Sequence, residues 1–485
     1  MTRPSLAALA VILASACDAP DASRTQWLQT TLVLDNQVFL DTAPALARGK
    51  FAKMNGAPHD FLRGTIGQWA RDVGAPGGAG YWPSDYATVA VGDVALVGDP
   101  HLENIGSFRD AEGRIVADFN DFDAAGYGPY HFDVRRLALS FHVAAGQLGA
   151  PEVGEAAARA VASGYAGEIA VLAAGPALAT EVDHGAILEK LLEKAAEDGA
   201  AREELDDYTR VVDGRREMFL GELEPPTMVE MGAYSEPVVA DATVAATGEE
   251  AALAAAILAD YPASLVAPVP ASELALKGLS RRLGAGVSSY PVLRLYALVE
   301  GPSAAADDDV LLELKEVFDA APFPGLSRLP SQGFGDDATR VIGQQRAMQT
   351  TRLDDRYLGS ARVGARSFRV RDRTKFQRGV DLAKLADDLA DGDFVAGDLV
   401  VLATDAGRLL ARSHARAPKL DGAPALPALA AALAGDGDGF AAETAAFVVD
   451  YAGSLADDYG RFQALLAEVG PSLAYAPAAA PTSER

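Results

Sequence analysis

The chain has 485 residues, of which 42 are basic and 68 acidic, so its formal net charge is −26. Hydrophobic residues make up 49% of the sequence, enough to bury a sizeable core, and this excludes wholesale disorder. The acidic balance argues against nucleic acid as a partner, because non-specific binding depends on lysine and arginine. The single cysteine, Cys17, excludes intrachain disulfides and thiolate zinc sites.

Residues 1–17 predict a lipoprotein signal peptide. Arg3 precedes an apolar stretch that is too short to span a bilayer, and small residues then lead to Cys17. This arrangement resembles a bacterial lipobox, which implies that the protein is exported and that lipidated Cys17 anchors it to a membrane of the bacterial envelope. The anchored protein would face the periplasm or the cell surface. An ordinary signal peptide with an incidental cysteine is the alternative. Residues 18–34 are predicted to be a tether.

The rest of the pattern predicts an α+β fold. Apolar residues spaced three and four apart predict helices at residues 35–75, 133–147, 153–175, 186–205, 248–259, 338–353, 397–415 and 438–468. β-Branched or alternating runs predict strands at residues 89–97, 114–119, 281–300, 310–318 and 366–371, with 281–300 and 310–318 forming an antiparallel pair. We expect a surface loop at residues 417–436 and a disordered tail at 476–485.

Chemically active side chains are concentrated between residues 98 and 133. Asp99 follows the first predicted strand, and Asn104 lies five residues later. The second strand delivers further carboxylates beside that loop, namely Asp118, Asp121 and Asp123. Such an oxygen-rich pocket suits Mg²⁺ or Mn²⁺ and is what phosphoryl transfer requires. The alternative is that these acids only cap turns and helices.

These residues resemble a known family. Gly98-Asp99-x-His101-x-x-Asn104 matches the catalytic loop of the aminoglycoside-phosphotransferase branch of protein-kinase-like folds, and Asn120-Asp121-Phe122-Asp123 resembles that branch's metal-binding strand. The run as a whole, together with Lys315-Glu316 and Gly343-Gln-x-Arg346 downstream, is similar to the uncharacterised bacterial DUF2252 family. The likeness covers roughly residues 50–470.

The resemblance implies roles for individual residues. Asp99 would be the catalytic base, and His101 would orient its loop through a hydrogen bond. Asn104 and Asp121 would hold Mg²⁺ or Mn²⁺, with Asp123 or Asp118 as a second carboxylate ligand. Which of the three aspartates faces the metal stays open at this point.

A glycine loop and a lysine complete the expected site for ATP or another nucleotide. Gly284, Gly286 and Ser288 begin the β-rich section, where glycines allow backbone N–H groups to approach phosphates. A plain hairpin is the alternative. Lys315 stands where a kinase-like small lobe places its phosphate-binding lysine. Helix 338–353 would steady that lysine, but it carries no glutamate.

The order of these parts is reversed relative to kinases, because the glycine loop follows Asp99 by about 180 residues. A circular permutation of a two-lobed kinase-like fold would explain the order. The large helical lobe would comprise residues 35–270 and 381–475, and the smaller antiparallel β lobe residues 271–380. This arrangement predicts that residues 405–415 pack near 92–104 and that Lys315 faces Asp121.

Residues 340–378 form a basic island in the acidic chain. They contain eleven Lys or Arg and three Asp, a net charge of 11 − 3 = +8. Arg369, Arg371 and Lys375 are candidates for an anionic-substrate or phosphate site. The alternative, which we favour for most of the island, is that these charges pair with the acidic lobe.

These observations together predict a metal-dependent phosphotransferase that acts on a small molecule or an envelope component. The same pocket could transfer a nucleotidyl group. A non-catalytic nucleotide- or ligand-binding envelope lipoprotein of the same fold is the main alternative, because the helix lacks its glutamate and export places the protein where ATP is scarce. A metal-dependent hydrolase is disfavoured by the absence of a second clustered histidine.

Overall fold

The computed structural model describes residues 21–74, 76–175, 184–201, 203–221, 223–318, 334–350, 355–373 and 376–476. Cys17, Lys375 and the predicted tail beyond residue 476 lie outside these ranges. Within them, no helix is long and apolar enough to cross a membrane.

The fold is α+β, with more helix than strand. In chain order the helices are α1 Asp21–Thr42, α2 Pro44–Met54, α3 Pro58–Gly64, α4 Ile66–Gly74, α5 His131–Gln147, α6 Gly154–Ala173, α7 Ala186–Ala201, α8 Glu203–Tyr208, α9 Gly248–Asp260, α10 Asp337–Met348, α11 Leu382–Ala390, α12 Ala396–Arg416, α13 Leu426–Leu433 and α14 Gly437–Val469. The predicted helices are therefore present, but the one predicted at 35–75 corresponds to four helices and the one at 186–205 to two.

The strands are short outside one large sheet. They are β1 Val94–Leu96, β2 Ile105–Arg109, β3 Ile115–Phe119, β4 Gly126–Gly128, β5 Thr209–Val212, β6 Arg215–Met218, β7 Thr227–Met231, β8 Tyr234–Val238, β9 Ala242–Ala245, β10 Leu276–Leu283, β11 Arg294–Val299, β12 Val310–Val317, β13 Gly359–Val363 and β14 Arg366–Asp372. The last six form one sheet in the order β13-β14-β12-β11-β10-β9. All of its neighbouring strands are antiparallel, which confirms the predicted pairing of β11 with β12.

The two faces of this sheet differ because side chains alternate along a strand. On β12, Leu312 and Leu314 point towards α9 and are fully buried in the apolar core of the sheet. The alternate positions, Glu313 and Lys315, face the other way and are also buried. Strand β14 repeats the pattern, with Phe368 and Val370 in the core and with Arg369 and Arg371 on the face of Glu313 and Lys315. One face of the sheet is therefore apolar and the other carries buried charge.

Four predictions need correction. The strand predicted at 89–97 is only Val94–Leu96, because residues 89–91 form a 3-10 turn. The strand predicted at 281–300 is two strands joined by a loop at residues 284–293. The loop predicted at 417–436 contains α13, whose Leu429 is fully buried. Strands β5 to β9 were not predicted, and the large sheet begins at residue 242 rather than 271.

The predicted tether at residues 18–34 is a fifth correction, because helix α1 begins at residue 21. Leu28 and Leu32 lie one turn apart on its inner face and are fully buried. Arg24 donates hydrogen bonds to Asp72 at 2.8 Å and to Asp458 at 3.1 Å, which fixes the start of the helix against α4 and α14. A polar side chain of the kind that suggested a tether, Arg24, thus forms ion pairs with the core helices.

Helices α6 and α12 pack closely in the core of the helical lobe. Gly164 on α6 and Gly407 on α12 lie at the crossing, where a Cβ on either would overlap a carbonyl oxygen of the opposite helix, Thr404 or Val161. The glycines let the two backbones approach, and α12 is thereby held against the elements that carry the site.

Gly164→Ala should therefore lower the free energy of unfolding by about 1–3 kcal/mol, because the added methyl forces the helices apart. Gly167→Ala is the matched control, since Gly167 lies on the same helix with open space around it. There alanine should raise stability by about 0.5–1 kcal/mol. Urea denaturation of both variants measures the difference, and equal effects would contradict the close packing.

Candidate functional site

A cleft of about 360 Å³ opens between the charged face of the sheet and the segment 97–124. Helices α1 to α4 close one side of it. The predicted site residues that line it are Asp99, His101, Asn104, Asp121, Asp123, Gly286, Ser288, Lys315 and Arg371. Gly284 and Asp118 do not line it, although both belong to elements that border it. The structure therefore brings most of the predicted residues to one place.

The loop that carries Asp99 is held in position by hydrogen bonds to its backbone. Asp133, near the start of α5, accepts hydrogen bonds from the backbone N–H groups of Val97 at 2.7 Å and Gly98 at 3.1 Å. Gly98 has φ of +88°, and a Cβ there would overlap the carbonyl oxygen of Ala124. The glycine before Asp99 is thus required by both conformation and space.

Asp99 is paired with one arginine. Its Oδ1 accepts a hydrogen bond from Nε of the buried Arg136 at 2.9 Å. Burial raises the pKa of Asp99, and the positive charges of Arg136 and Arg63 oppose that rise. A carboxylate with a raised pKa is better matched to accepting a proton near neutral pH than an exposed one.

Asn104 joins the Asp99 loop to the segment after β3. Its Nδ2 donates to the carbonyl oxygens of Asp99 at 3.4 Å and Asp121 at 3.0 Å, and its Oδ1 accepts from the backbone N–H of Asp121 at 2.7 Å. The amide is buried and its orientation is fixed by these bonds. The spacing between Asp99 and Asp121 is therefore set by one side chain.

Asp121 and Asp123 face two cations from the sheet. Lys315 Nζ lies 2.5 Å from Asp123 Oδ2 and 3.6 Å from Asp121 Oδ2. Arg369 Nη1 lies 3.7 Å from Asp121 Oδ1. Burial alone would raise the pKa of Asp121, but Lys315 and Arg369 hold it well below its usual range. Both aspartates keep part of their side chain exposed to the cleft, whereas Lys315 and Arg369 are buried.

Glu313 balances the remaining positive charge on this face of the sheet. Its Oε1 accepts hydrogen bonds from Arg371 Nε at 3.0 Å and Arg369 Nη2 at 3.2 Å, and Arg294 Nε lies 3.6 Å from its Oε2. Although burial favours the neutral acid, the three guanidinium groups hold the pKa of Glu313 well below its usual range. The cleft is thus bordered by a continuous network of opposite charges.

Asp118 lies outside this network. Its carboxylate accepts hydrogen bonds from the backbone N–H of Thr350 at 3.0 Å and from Arg416 Nη1 at 3.0 Å, and it is buried. The sequence left Asp118 open as a metal ligand. Its partners instead give it the role of joining β3 to α10 and α12, and Asp121 and Asp123 are the carboxylates that face the cleft.

The glycine loop connects β10 to β11 and is held by helix α2. Lys53 Nζ donates to the carbonyl oxygens of Gly284 at 3.3 Å and Gly286 at 2.9 Å. Both glycines have φ near +75°, a conformation that other residues rarely adopt. Gly286 and Ser288 line the cleft, while Gly284 turns the chain away from it.

Helix α10 supports the aspartate segment rather than Lys315. Arg340 Nη1 donates to the carbonyl oxygens of Asp123 at 2.9 Å and Ala125 at 2.8 Å, and Gln349 Nε2 donates to that of Phe119 at 2.6 Å. The sequence suggested that this helix would steady Lys315. The ion-pair partners of Lys315 are Asp121 and Asp123 instead, which explains why no glutamate on α10 is needed.

His101 is half-buried in the wall of the cleft beside His59. The two rings meet edge to face with centroids 6.2 Å apart, and His101 Nδ1 has no hydrogen-bond partner among the described residues. The predicted hydrogen bond from His101 to its own loop is therefore not observed at this nitrogen. Burial lowers the pKa of His101 well below its ordinary value, so the ring is neutral.

The described arginines of the basic island pair with carboxylates of both lobes, so the favoured alternative, pairing with the acidic lobe, holds only in part. Arg369 and Arg378 pair with Asp121 and Asp198 of the acidic lobe, but other pairs lie within the β lobe. Arg366 contacts Glu316 at 2.7 Å and Arg356 contacts Glu273 at 2.6 Å. Arg369 and Arg371 line the cleft, while Lys375 lies outside the described residues. Arg63 also lines the cleft and pairs with both Glu103 and Asp60.

The donor set for a metal is small. No group of three or more His, Cys, Asp or Glu side chains suited to a metal occurs in the described ranges. Asp121 and Asp123 nevertheless fit Mg²⁺, which commonly takes one or two protein carboxylates together with substrate phosphates. Asp123 Oδ1 is buried without a hydrogen-bond partner there, and Asn104 Oδ1 keeps a second lone pair.

A protein-family model matches the chain. The family model described as "Uncharacterized protein conserved in bacteria (DUF2252)" matches residues 42–465, which is most of the chain. The chain belongs to DUF2252. No curated protein and no solved structure matches it.

In this DUF2252 protein, the two contacts that the sequence predicts between distant segments are present. His414 on α12 lies with Nε2 3.1 Å from Asp133 Oδ2, and Asp133 in turn holds the backbone of residues 97–98. Lys315 faces Asp121 across the cleft. The segment 405–415 thus packs behind the Asp99 loop.

Several residues of the DUF2252 site were not foreseen. Arg136, Asp133, His414 and Lys53 act through hydrogen bonds between segments far apart in the chain. No spacing rule in one sequence signals such bonds. The only available signal was compositional, because Asp133-Val-Arg-Arg136 places charges inside an otherwise apolar helix.

The buried histidines should make stability sensitive to acid. Burial, with Arg63 and Arg136 nearby, lowers the pKa of His59 to about 3. Below pH 6.5, about the pKa of a histidine in the unfolded chain, the unfolded state binds a proton at this residue and the native state does not. The free energy of unfolding therefore falls as pH falls, by about 1.4 kcal/mol per pH unit for each such histidine.

The expected outcome is that His59→Gln reduces the slope of unfolding free energy against pH between pH 6 and 4.5 by about one proton. His131→Gln is a control remote from the cleft that should do the same, because burial lowers the pKa of His131 to about 3 as well. Urea denaturation across this pH range provides the measurement. An unchanged slope in both variants would refute the buried neutral state.

Proposed function

We propose that the protein is a metal-dependent phosphotransferase of kinase-like fold, which transfers a phosphoryl group from a nucleotide to a small-molecule or envelope acceptor. One observation carries the proposal. Asp99, Asn104 and Asp121 from one half of the chain meet Lys315 from the other half in a single cleft, with Lys315 Nζ 3.6 Å from Asp121 Oδ2. This is the set of groups that phosphoryl transfer uses.

Asp99 is proposed as the residue that orients the acceptor hydroxyl and accepts its proton. Its raised pKa favours proton uptake, and Arg136 fixes its carboxylate. Arg136 is a positioning residue, because its guanidinium is buried behind Asp99 and also donates to the carbonyl oxygen of Leu62 at 2.7 Å.

Lys315 and Arg369 are proposed to hold the phosphates. Both cations are buried on the sheet and both point at the cleft, where Asp121 and Asp123 balance them. Gly286 and Ser288 border the same end of the cleft and would bring backbone and hydroxyl donors to phosphate oxygens. Arg371 would act mainly by fixing Glu313.

Asp121 and Asp123 are proposed to hold Mg²⁺ or Mn²⁺, with the free lone pair of Asn104 Oδ1 as a third oxygen. When bound, the metal would neutralise charge on the phosphate oxygens. Asn104 has a second task that needs no metal, because it fixes the distance between Asp99 and Asp121.

The kinase-like and permuted nature of the fold belongs to this proposal. It is supported by the order β10, glycine loop, β11, β12 with Lys315, then α10, and by the packing of α12 behind the Asp99 loop. The partner of the lysine departs from the kinase pattern, since it is an aspartate pair rather than a helix glutamate.

A non-catalytic nucleotide- or ligand-binding protein is the second candidate. It is favoured by the ion pair of Lys315 with Asp123 at 2.5 Å, which balances the charge of the lysine without a ligand. Transfer of a nucleotidyl group is a third candidate that would use the same residues. The experiment below separates them by turnover and by product.

The protein should bind ATP or ADP with Mg²⁺ or Mn²⁺, and the binding should raise its melting temperature by mass action. Lys315→Met should abolish most of the shift. Lys190→Met is the matched control, because Lys190 is a half-exposed lysine on α7 that pairs with Asp388 and Asp393. The absence of a shift under every condition would refute the phosphotransferase.

Asp99→Asn should leave the nucleotide shift intact while lowering turnover about 10²–10⁴-fold, as expected for removal of a general base. Turnover is measured as phosphate release, with water as the acceptor. Pyrophosphate release would instead indicate nucleotidyl transfer. A normal shift without turnover, unchanged in Asp99→Asn, would support the non-catalytic binder.

We also propose that the chain is an exported lipoprotein anchored through Cys17. The motif at residues 1–17 supports this, while Cys17 lies outside the described structure. Cys17→Ser should move the protein from the membrane fraction to the soluble envelope fraction, because the acyl anchor is lost. A wild-type protein that fractionates as soluble would contradict the proposal.

A further inference from the structure

Helix α2 carries a buried lysine that the proposed chemistry does not use. Lys50 is 5% exposed, lines the cleft and donates from Nζ to Asn36 Oδ1 at 2.7 Å. Asn36 is itself fixed, because its Nδ2 donates to the carbonyl oxygen of Leu32 at 2.8 Å. The only partner found for the ammonium among the described residues is thus a neutral amide.

The carboxylate of Asp35 compensates this charge only in part. Asp35 lies beside Asn36 on α1. Its carboxylate accepts hydrogen bonds from Arg71 Nη1 at 2.8 Å and Nη2 at 2.5 Å, and from Gln68 Nε2 at 3.2 Å. Asp35 is therefore occupied by a bidentate arginine. Burying an ammonium with three donors against one neutral acceptor is costly unless an anion completes its surroundings. Consistently, burial lowers the pKa of Lys50 to about 8.

Lys50 and Asp99 both line the cleft. Helix α3 packs between them: Arg136 binds both Asp99 and the carbonyl oxygen of Leu62, and Gly64 packs against Met54, one turn after Lys50 on α2. Helix α2 also borders the glycine loop through Lys53. An anion at Lys50 would thus lie on the side of the cleft that helix α2 closes.

We propose that Lys50 and Asn36 form an anion-binding subsite of the cleft, which takes a small molecule carrying a carboxylate or a phosphate. Anion binding at Lys50 does not depend on the proposed phosphotransferase.

The test uses glycerol 3-phosphate and glycerate as anionic probes, with glycerol and glucosamine as neutral and cationic counterparts. Calorimetric titration of the whole exported chain should show binding of the anionic probes only. Lys50→Met should weaken that binding tenfold or more, the loss expected for a charge-assisted hydrogen bond. Lys190→Met serves as the control that should leave it unchanged.

Asn36→Asp provides a second variant in case Lys50→Met does not fold. It keeps the shape of the side chain and places a carboxylate against the ammonium, so the subsite is neutralised from within and anion binding should again be lost. Lys315→Met should show the opposite pattern, with anion binding kept and ADP binding lost.

The outcomes separate the two proposals. Binding of ADP without binding of either anionic probe, equal anion binding in wild type and both variants, or binding of glucosamine instead would each overturn the subsite. Anion binding that depends on Lys50, in a protein that binds no nucleotide, would support the subsite and overturn the phosphotransferase.

Discussion

Charge compensation between the two halves of the chain is the constraint on which the site depends. The sheet presents buried lysine and arginine side chains, and the helical lobe presents Asp121 and Asp123. The cations are buried, and without the two half-exposed carboxylates they would be costly, because an unpaired buried charge costs several kcal/mol. Replacing such a network with apolar residues would often be neutral or stabilising. We infer that the network is retained because the cleft needs charged groups, and that stability is a secondary consequence.

The rest of the site is organised by single side chains that bind backbone groups. Asn104 spans two loops, Asp133 holds the strand end before Asp99, and Lys53 holds two carbonyl oxygens of the glycine loop. Each such residue belongs to an element that is packed elsewhere in the core. The packing of the helices, including the close crossing of α6 and α12, thus determines the geometry of the cleft.

Local pattern was enough to predict the long helices and the pairing of β11 with β12, because amphipathic spacing and alternation are properties of a few neighbouring residues. It also grouped Asp99, Asn104 and Asp121, which lie within two adjacent strands and their loops. It failed at residues 18–34, where polar composition hides two ion pairs, and at strands β5 to β9, which are short and largely exposed. It could not exclude Asp118, because only tertiary contact shows that Thr350 and Arg416 occupy that carboxylate.

The first and last described parts of the chain lie against each other. Gln29 on α1 donates to the carbonyl oxygen of Leu473 at 2.9 Å, and Tyr475 donates to Asp41 at 2.7 Å. A short linker could therefore join the two ends with little loss of chain entropy. In a chain closed in this way and reopened before β9, the large sheet would precede the Asp99 loop in the sequence. The contacts of the cleft would not change, since none of them depends on which lobe comes first in the chain.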